Sequence, residues 1–121
     1  MEQQSGGGRQ PLAERTEEFA RRVRAFVRLL PKTVSNREDV PQLVRASGSV
    51  GANYIEVNES LGPKDFLMHA RICRKEAKES GYWLRLLNTH GRADLDAERD
   101  ALVREATELV RMFSRMIQNR Q

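Results

Sequence analysis

The residues that most often carry enzyme chemistry are few and scattered in this sequence. His69 and His90 have no second histidine, cysteine or carboxylate at a reliable metal-ligand spacing. Glu76 and Glu79 are three residues apart, as in a carboxylate-bridged metal site, but the Glu-x-x-His partner helices of such a site are missing. Cys73 is the only cysteine and falls on a predicted core position, which favours a buried apolar role over a nucleophilic one. We therefore expect no catalytic residues, no metal and no cofactor.

The cations between Pro63 and His90 indicate a different chemistry, the binding of phosphate groups. If this stretch is a helix that advances about 100° per residue, its basic side chains fall within about 100° of one another. Its acids lie on the opposite flank, so the i,i+4 pairs that neutralise ordinary helices are largely absent. The alternative is a solvated helix face. We expect phosphate binding by the following residues, which we call the basic stripe: Lys64, Arg71, Arg74, Lys75, Lys78 and Arg85.

The same predicted helix has two further faces. One arc must face a core, because its members recur at spacings of four and three: Phe66, Ala70, Cys73, Ala77, Ser80, Leu84 and Leu87. The flank with the acids also carries the apolar side chains Met68, Ile72, Trp83 and Leu86, so we expect it to contact another helix or subunit. Trp83 and its neighbour Tyr82 could instead stack on nucleobases, but such residues are more often packed at interfaces.

Three further stretches have helical periodicity and short polar connections between them. Helix 1 is predicted from Leu12 to Leu30, because Pro31 stops it. Helix 4 is predicted over about residues 97–119, after a short link that contains Asp94 and Asp96. Together with helix 2, these segments predict an all-α protein, an antiparallel up-down-up-down four-helix bundle.

Helix 2 is predicted to lie between two proline-containing turns. Asp39 is a plausible N-cap, with Val40 and Pro41 in the first turn. The helix should end near Leu61, with Gly62 in the left-handed conformation that often terminates helices.

The middle of helix 2, residues 46–52, has the unusual sequence ASGSVGA. Two interior glycines cost roughly 1 kcal/mol each relative to alanine, so Gly48 and Gly51 make sense where another backbone approaches closely. We expect the helix to continue through this segment; the alternative is a break near Gly48. Asn53 and Glu56 follow one turn apart, where they could make a polar contact to a neighbouring helix or subunit. A buried hydrogen-bonded pair that fixes register is favoured over a catalytic pair.

The overall composition favours a charge-rich helical protein of the cytoplasm. Charged residues make up 31% of the 121 residues, and no apolar run is long enough for a membrane span. The N-terminus has no apolar signal segment, and one cysteine cannot form a disulfide framework. Residues 1–11, which include three consecutive glycines, are predicted to be a disordered tail, and residues 12–121 to be the bundle domain. The net charge of +4 favours an anionic partner.

A motif in helix 2 resembles a known family. The residues that carry the resemblance are Arg45-Ala46-Ser47, Ser49-Val50-Gly51-Ala52-Asn53 and Glu56, followed by Asp65-Phe66 and Glu79 in the next helix. They resemble the bacterial four helix bundle protein family, also called the 23S rRNA intervening-sequence protein family, which is related to the accessory proteins of diversity-generating retroelements. The resemblance covers roughly residues 12–118. This sequence departs from the family pattern at Arg74-Lys75-Glu76, where a small apolar and glycine-serine stretch is usual.

This resemblance implies a bundle that assembles as a ring, typically a homopentamer. It also implies nucleic-acid binding, as in the retroelement relatives, and no known catalysis. Structural or interface roles are assigned to Arg45, Gly48, Gly51, Asn53, Glu56 and Trp83.

Two hypotheses of different classes follow. The first is a non-enzymatic, homo-oligomeric accessory protein that binds RNA or an RNA–DNA hybrid through the basic stripe. Low sequence specificity is expected, because nothing here resembles a recognition helix or an aromatic platform. The second is a protein-binding scaffold that docks an acidic partner such as a reverse transcriptase. An enzyme with its site in the bundle core is the weakest alternative, because no catalytic constellation is present.

Overall fold

The computed structural model describes residues 10–120 and has four α-helices in that range. They are α1 (Leu12–Val27), α2 (Val34–Asn58), α3 (Pro63–Leu86) and α4 (Ala93–Arg120). Short connections at residues 28–33, 59–62 and 87–92 make successive helices antiparallel, which confirms the predicted up-down-up-down bundle. Of the predicted tail, residues 1–9 lie outside the described residues. None of the four helices is long and apolar enough to cross a bilayer.

The helices pack as a closed ring in which each contacts its two neighbours. α3 has the most extensive contacts, with α2 on one side and α4 on the other, whereas α1 and α4 meet more sparsely. The centre of α3 is lined by small side chains that are fully buried, namely Ala70, Cys73, Ala77 and Ser80. The predicted core arc of α3 is therefore confirmed, with Phe66 at its N-terminal end only half-buried.

Large side chains from the other helices complete the core around this small-residue face. Phe19 and Phe26 come from α1, Leu43 from α2, and Leu102 and Phe113 from α4, and all five are almost fully buried. Each such side chain contributes roughly 1.5–3 kcal/mol to folding through the apolar surface it removes from water.

The start of α2 differs from the prediction of an N-cap at Asp39. The helix begins at Val34, and the hydroxyl of Thr33 caps it by accepting a hydrogen bond of 3.0 Å from the Asn36 backbone N–H. Pro41 consequently lies inside α2 instead of in its first turn. A proline usually marks a helix start because it lacks an N–H, but burial of the helix outweighs one lost bond here.

The other helix ends are also shifted by a few residues. α1 ends at Val27 and continues as a turn, with hydrogen bonds from Leu29 N to Phe26 O and from Leu30 N to Val27 O. α3 ends at Leu86, short of His90, and Gly62 is extended (φ 176°), so the predicted left-handed conformation there is wrong. α4 starts earlier than predicted, so that Asp94 and Asp96 occupy its first turn, where the helix dipole favours acids.

The connections at one end of the bundle are joined by the side chain of Asn36, which is 2% exposed. Its amide nitrogen donates 2.9 Å hydrogen bonds to Pro31 O and Asn88 O, and its oxygen accepts a 2.9 Å bond from Asn88 N. One side chain thus ties the α1–α2 connection to the α3–α4 connection and satisfies three backbone groups.

The glycines of α2 lie against side chains of α1, and the helix is continuous through them as predicted. A Cβ at Gly51 would lie 3.2 Å from Thr16 Oγ1, 3.4 Å from Thr16 Cβ and 3.7 Å from the Thr16 carbonyl carbon. A Cβ at Gly48 would meet only the guanidinium of Arg24, at 3.2 Å. The close approach predicted for both positions therefore involves backbone at Gly51 and a flexible side chain at Gly48.

This difference predicts unequal effects of enlarging the two glycines. Gly51→Leu should lower the free energy of unfolding by about 1–3 kcal/mol, because Thr16 is buried and cannot move aside. Gly48→Leu should cost clearly less, because the exposed Arg24 side chain can swing away. Urea denaturation of both variants measures the difference, and equal losses would contradict the assigned packing.

Candidate nucleic-acid interface

The residues of the basic stripe all lie on α3, on the side of the helix turned away from its buried arc. Five of the six are exposed and Arg74 is half-buried. Arg92, the next cation along the chain, lies beyond the end of α3 and is not part of the stripe. The structure therefore keeps the six predicted cations on one continuous helix.

The stripe gathers on one face of one helix six cations that are almost free of acidic partners in the described part of the chain. Within residues 10–120, its only ion pair joins Lys75 Nζ to Glu76 Oε2 at the long distance of 3.9 Å. The cause is the placement of acids on α3: Asp65 instead contacts His69 Nδ1 at 3.2 Å and accepts a hydrogen bond from Leu61 N. That one long ion pair is all that α3 provides to neutralise the stripe.

The cations of α1 are arranged differently. Arg15 forms a two-pronged ion pair with Glu105 of α4, with Nε–Oε2 at 2.7 Å and Nη2–Oε1 at 2.9 Å, and this hydrogen bonding raises the pKa of Arg15. Arg21 pairs with Glu17 on its own helix. These two cations have a structural or locally compensated role, unlike the cations of the stripe.

A groove between α3 and α4 adjoins the stripe. Its floor is made by Ala77, Gly81, Ala106 and Val110, with Thr107 beside them, and its cationic lining is Lys78 and Arg85. A Cβ at Gly81 would lie 3.3 Å from Arg85 Nη1, so the guanidinium of Arg85 folds back over the glycine. No acidic side chain of the described residues lines this groove. An anion at its edge would meet two positive charges at once.

The motif residues of α2 lie away from the stripe and do not converge on a site. Asn53 donates to Ser49 O at 2.9 Å and to Ser49 Oγ at 3.0 Å, within its own helix, while Glu56 is exposed. The predicted buried pair between Asn53 and Glu56 is therefore not formed within the chain. Arg45 is also exposed, and its guanidinium bonds to Gln42.

The apolar flank of α3 is partly used inside the chain. Trp83 is half-buried against the core, whereas Met68 and Leu86 remain 49% and 47% exposed. The flank also holds an unusual acid: Glu76 Oε1 is buried and has no hydrogen-bond partner among the described residues. A buried carboxylate oxygen without a donor is costly. The flank therefore combines a buried acid with apolar side chains that are incompletely covered.

Within residues 10–120, no three His, Cys, Asp or Glu side chains are placed to hold a metal. Cys73 is buried, and its thiol donates to Val50 O at 3.5 Å. Burial raises the pKa of the Cys73 thiol to about 12, because the thiolate would be desolvated.

Comparison with known proteins identifies a family and similar solved structures. The family model described as 23S rRNA-intervening sequence protein matches residues 11–115. The fold is similar to the crystal structure of a protein of unknown function from the S23 ribosomal protein family of Bacteroides thetaiotaomicron. The TM-score is 0.72 at 25% sequence identity, over 88% of this chain and 98% of that one. No curated protein matches the chain.

The raised pKa of Cys73 predicts an unreactive thiol. Near pH 8 only about one thiol in ten thousand would be ionised, so Ellman's reagent should not modify the native protein. Unfolding in concentrated guanidinium chloride should restore rapid reaction, because the thiol regains an ordinary pKa. Rapid modification of the native protein would contradict the burial of Cys73.

Proposed function

We propose that this chain, which belongs to the 23S rRNA-intervening sequence protein family, is an oligomeric nucleic-acid-binding protein without enzymatic activity. RNA or an RNA–DNA hybrid would lie along the basic stripe of α3. The observation that carries the proposal is that six cations with only one long ion pair within residues 10–120 share one face of one helix, while the acids of that helix lie on its other flank.

Unpaired cations on a rigid helix suit a phosphate backbone for two reasons. First, no intramolecular ion pair has to break before a phosphate binds. Second, each neutralised phosphate releases condensed counterions, which makes the binding favourable at low salt and steeply salt-dependent. Contacts to phosphate do not depend on the identity of the bases, so low sequence specificity follows.

Assembly into an oligomer is the second part of the proposal. Met68 and Leu86 leave apolar surface on the acid-bearing flank of α3, which a second copy could cover. Several copies would also present several stripes, and individually weak phosphate contacts would then add through avidity. A ring such as the pentamer implied by the family resemblance would serve this purpose.

The charge of the stripe can be tested without disturbing the core. Arg71→Glu/Lys75→Glu should weaken binding of a single-stranded RNA and make the slope of log K against log salt shallower by about 1.4. Both side chains are exposed, so folding should be unaffected. Filter binding at several salt concentrations measures both quantities.

The matched control is Arg21→Glu/Arg24→Glu, which reverses two exposed cations on α1. It should leave the affinity and the salt slope close to those of the wild type. Equal losses in both variants would mean that net charge alone binds RNA. No loss in either would overturn RNA binding by the stripe and favour an acidic protein partner, such as a reverse transcriptase.

Oligomerisation gives a separate prediction. Light scattering at micromolar concentration should give a mass several times the 13.9 kDa of one chain. Met68→Glu/Leu86→Glu should reduce that mass, because it places charge on the apolar part of the flank. A wild-type protein that is monomeric under these conditions would refute this part of the proposal.

A further inference from the structure

Tyr82 and Trp83 are adjacent in the sequence but have different environments in the structure. Trp83 packs partly buried against the core, while Tyr82 is 49% exposed. The two rings meet in an edge-on arrangement, with centroids 5.0 Å apart and an interplanar angle of 74°. The exposed ring of Tyr82 is thus supported by a side chain that the core holds in place.

Tyr82 lies on the same face of α3 as the cations of the basic stripe. Counting about 100° per residue from Phe66, Tyr82 falls at about 160°, inside the sector of the cations, whereas Trp83 falls on the opposite flank. Lys78 precedes Tyr82 by four residues and Arg85 follows it by three, so both are its neighbours on the helix surface. Neither cation has an ion-pair partner among the described residues.

The groove at Gly81 holds one of these cations. With no Cβ at Gly81, the guanidinium of Arg85 lies against the helix backbone, at the same edge of α3 as Lys78. A glycine inside a helix costs roughly 1 kcal/mol relative to alanine, and here it provides space for the guanidinium. Two cations and an aromatic ring therefore lie within about two helical turns.

We propose that residues 78–85 form a binding site for one nucleotide unit of a single-stranded nucleic acid. Its base stacks on the exposed ring of Tyr82, and its phosphate lies between Lys78 and Arg85 beside Gly81. This inference rests on the proposed function and adds to it a preference for single strands over duplexes. The physical reason is that the bases of a duplex are stacked on each other, so only a single strand can offer a free base to Tyr82.

The stacking of a base on Tyr82 is tested by two substitutions at that position that introduce apolar side chains, one aromatic and one aliphatic. Tyr82→Phe keeps the aromatic face and should bind a fluorescein-labelled oligouridylate as the wild type does. Tyr82→Leu removes that face and should weaken the binding by about 5–150-fold, the range found when one stacked base is lost. Both variants should bind an RNA duplex of the same length with unchanged affinity. Equal affinities of the two variants for the oligouridylate, or an equal loss for the duplex, would overturn the proposal.

A second measurement uses the unmodified protein, so it does not depend on the folding of a variant. Trp83 is the only tryptophan and contacts Tyr82, so a base on Tyr82 should change its fluorescence. Unlabelled oligouridylate should produce this change, whereas heparin, a polyanion without bases, should not. The same change with both polyanions would contradict stacking.

The proposed position of the phosphate is tested by a matched pair of glycine substitutions. An alanine Cβ would push a guanidinium by a few tenths of an ångström in each case, that of Arg85 in Gly81→Ala and that of Arg24 in Gly48→Ala. Both changes should leave the helices stable, because alanine is the better helix former. Only Gly81→Ala should weaken RNA binding, by about threefold, since a shifted Arg85 guanidinium makes a poorer charge-assisted contact to phosphate. Equal affinities of the two alanine variants would overturn the placement of the phosphate.

Failure of this inference differs from failure of the proposed function. If charge reversal at Arg71 and Lys75 abolishes binding but Tyr82→Leu and Gly81→Ala do not weaken it, only the nucleotide site is refuted. If the wild type binds neither the oligouridylate nor the duplex, the proposed function is refuted as well.

Discussion

The burial of small side chains at the centre of α3 is the constraint on which the rest of this bundle depends. Ala70, Cys73, Ala77 and Ser80 are all fully buried, so the backbone of α3 can approach both α2 and α4 closely. A helix fixed along that arc has no freedom to rotate, because any rotation would bury charge and expose the arc. The cations of the stripe must then face solvent. Packing of the buried arc of α3 thus fixes the direction in which they point.

Polar interactions fix how the remaining helices join this centre. The sparse seam between α1 and α4 carries the two-pronged pair of Arg15 and Glu105, whose side chains are only 11% and 19% exposed. At one end of the bundle, Asn36 satisfies backbone groups of two connections. Hydrogen bonds of this kind add little net stability when made, but they are costly to leave unmade, so they favour one arrangement over its alternatives.

The distribution of charge links this architecture to the proposed RNA binding. Acids and bases alternate on α1, and the bundle pairs several of them, whereas α3 separates its acids from its bases. The acids go to the flank shared with Trp83 and the bases to the edge near α4, so one helix presents two chemically different surfaces. The basic edge suits the binding of a phosphate backbone. The flank with apolar and acidic side chains suits contact with a second copy. The two surfaces are compatible, because they lie on different sides of α3.

The sequence by itself determined the four helices, the buried arc of α3 and the grouping of its cations. Each of these depends on the spacing of residues within one helix, and the helical period fixes which side chains share a face. It did not determine the start of α2, because Pro41 is a strong local signal and only the packed helix outweighs it. Nor could it show that Asn36 bonds to Asn88, that Gly51 lies against Thr16, or that Trp83 is partly buried while Tyr82 is not. These features were decided by tertiary structure, because they depend on which parts of different helices meet, and no spacing within a single helix contains that information.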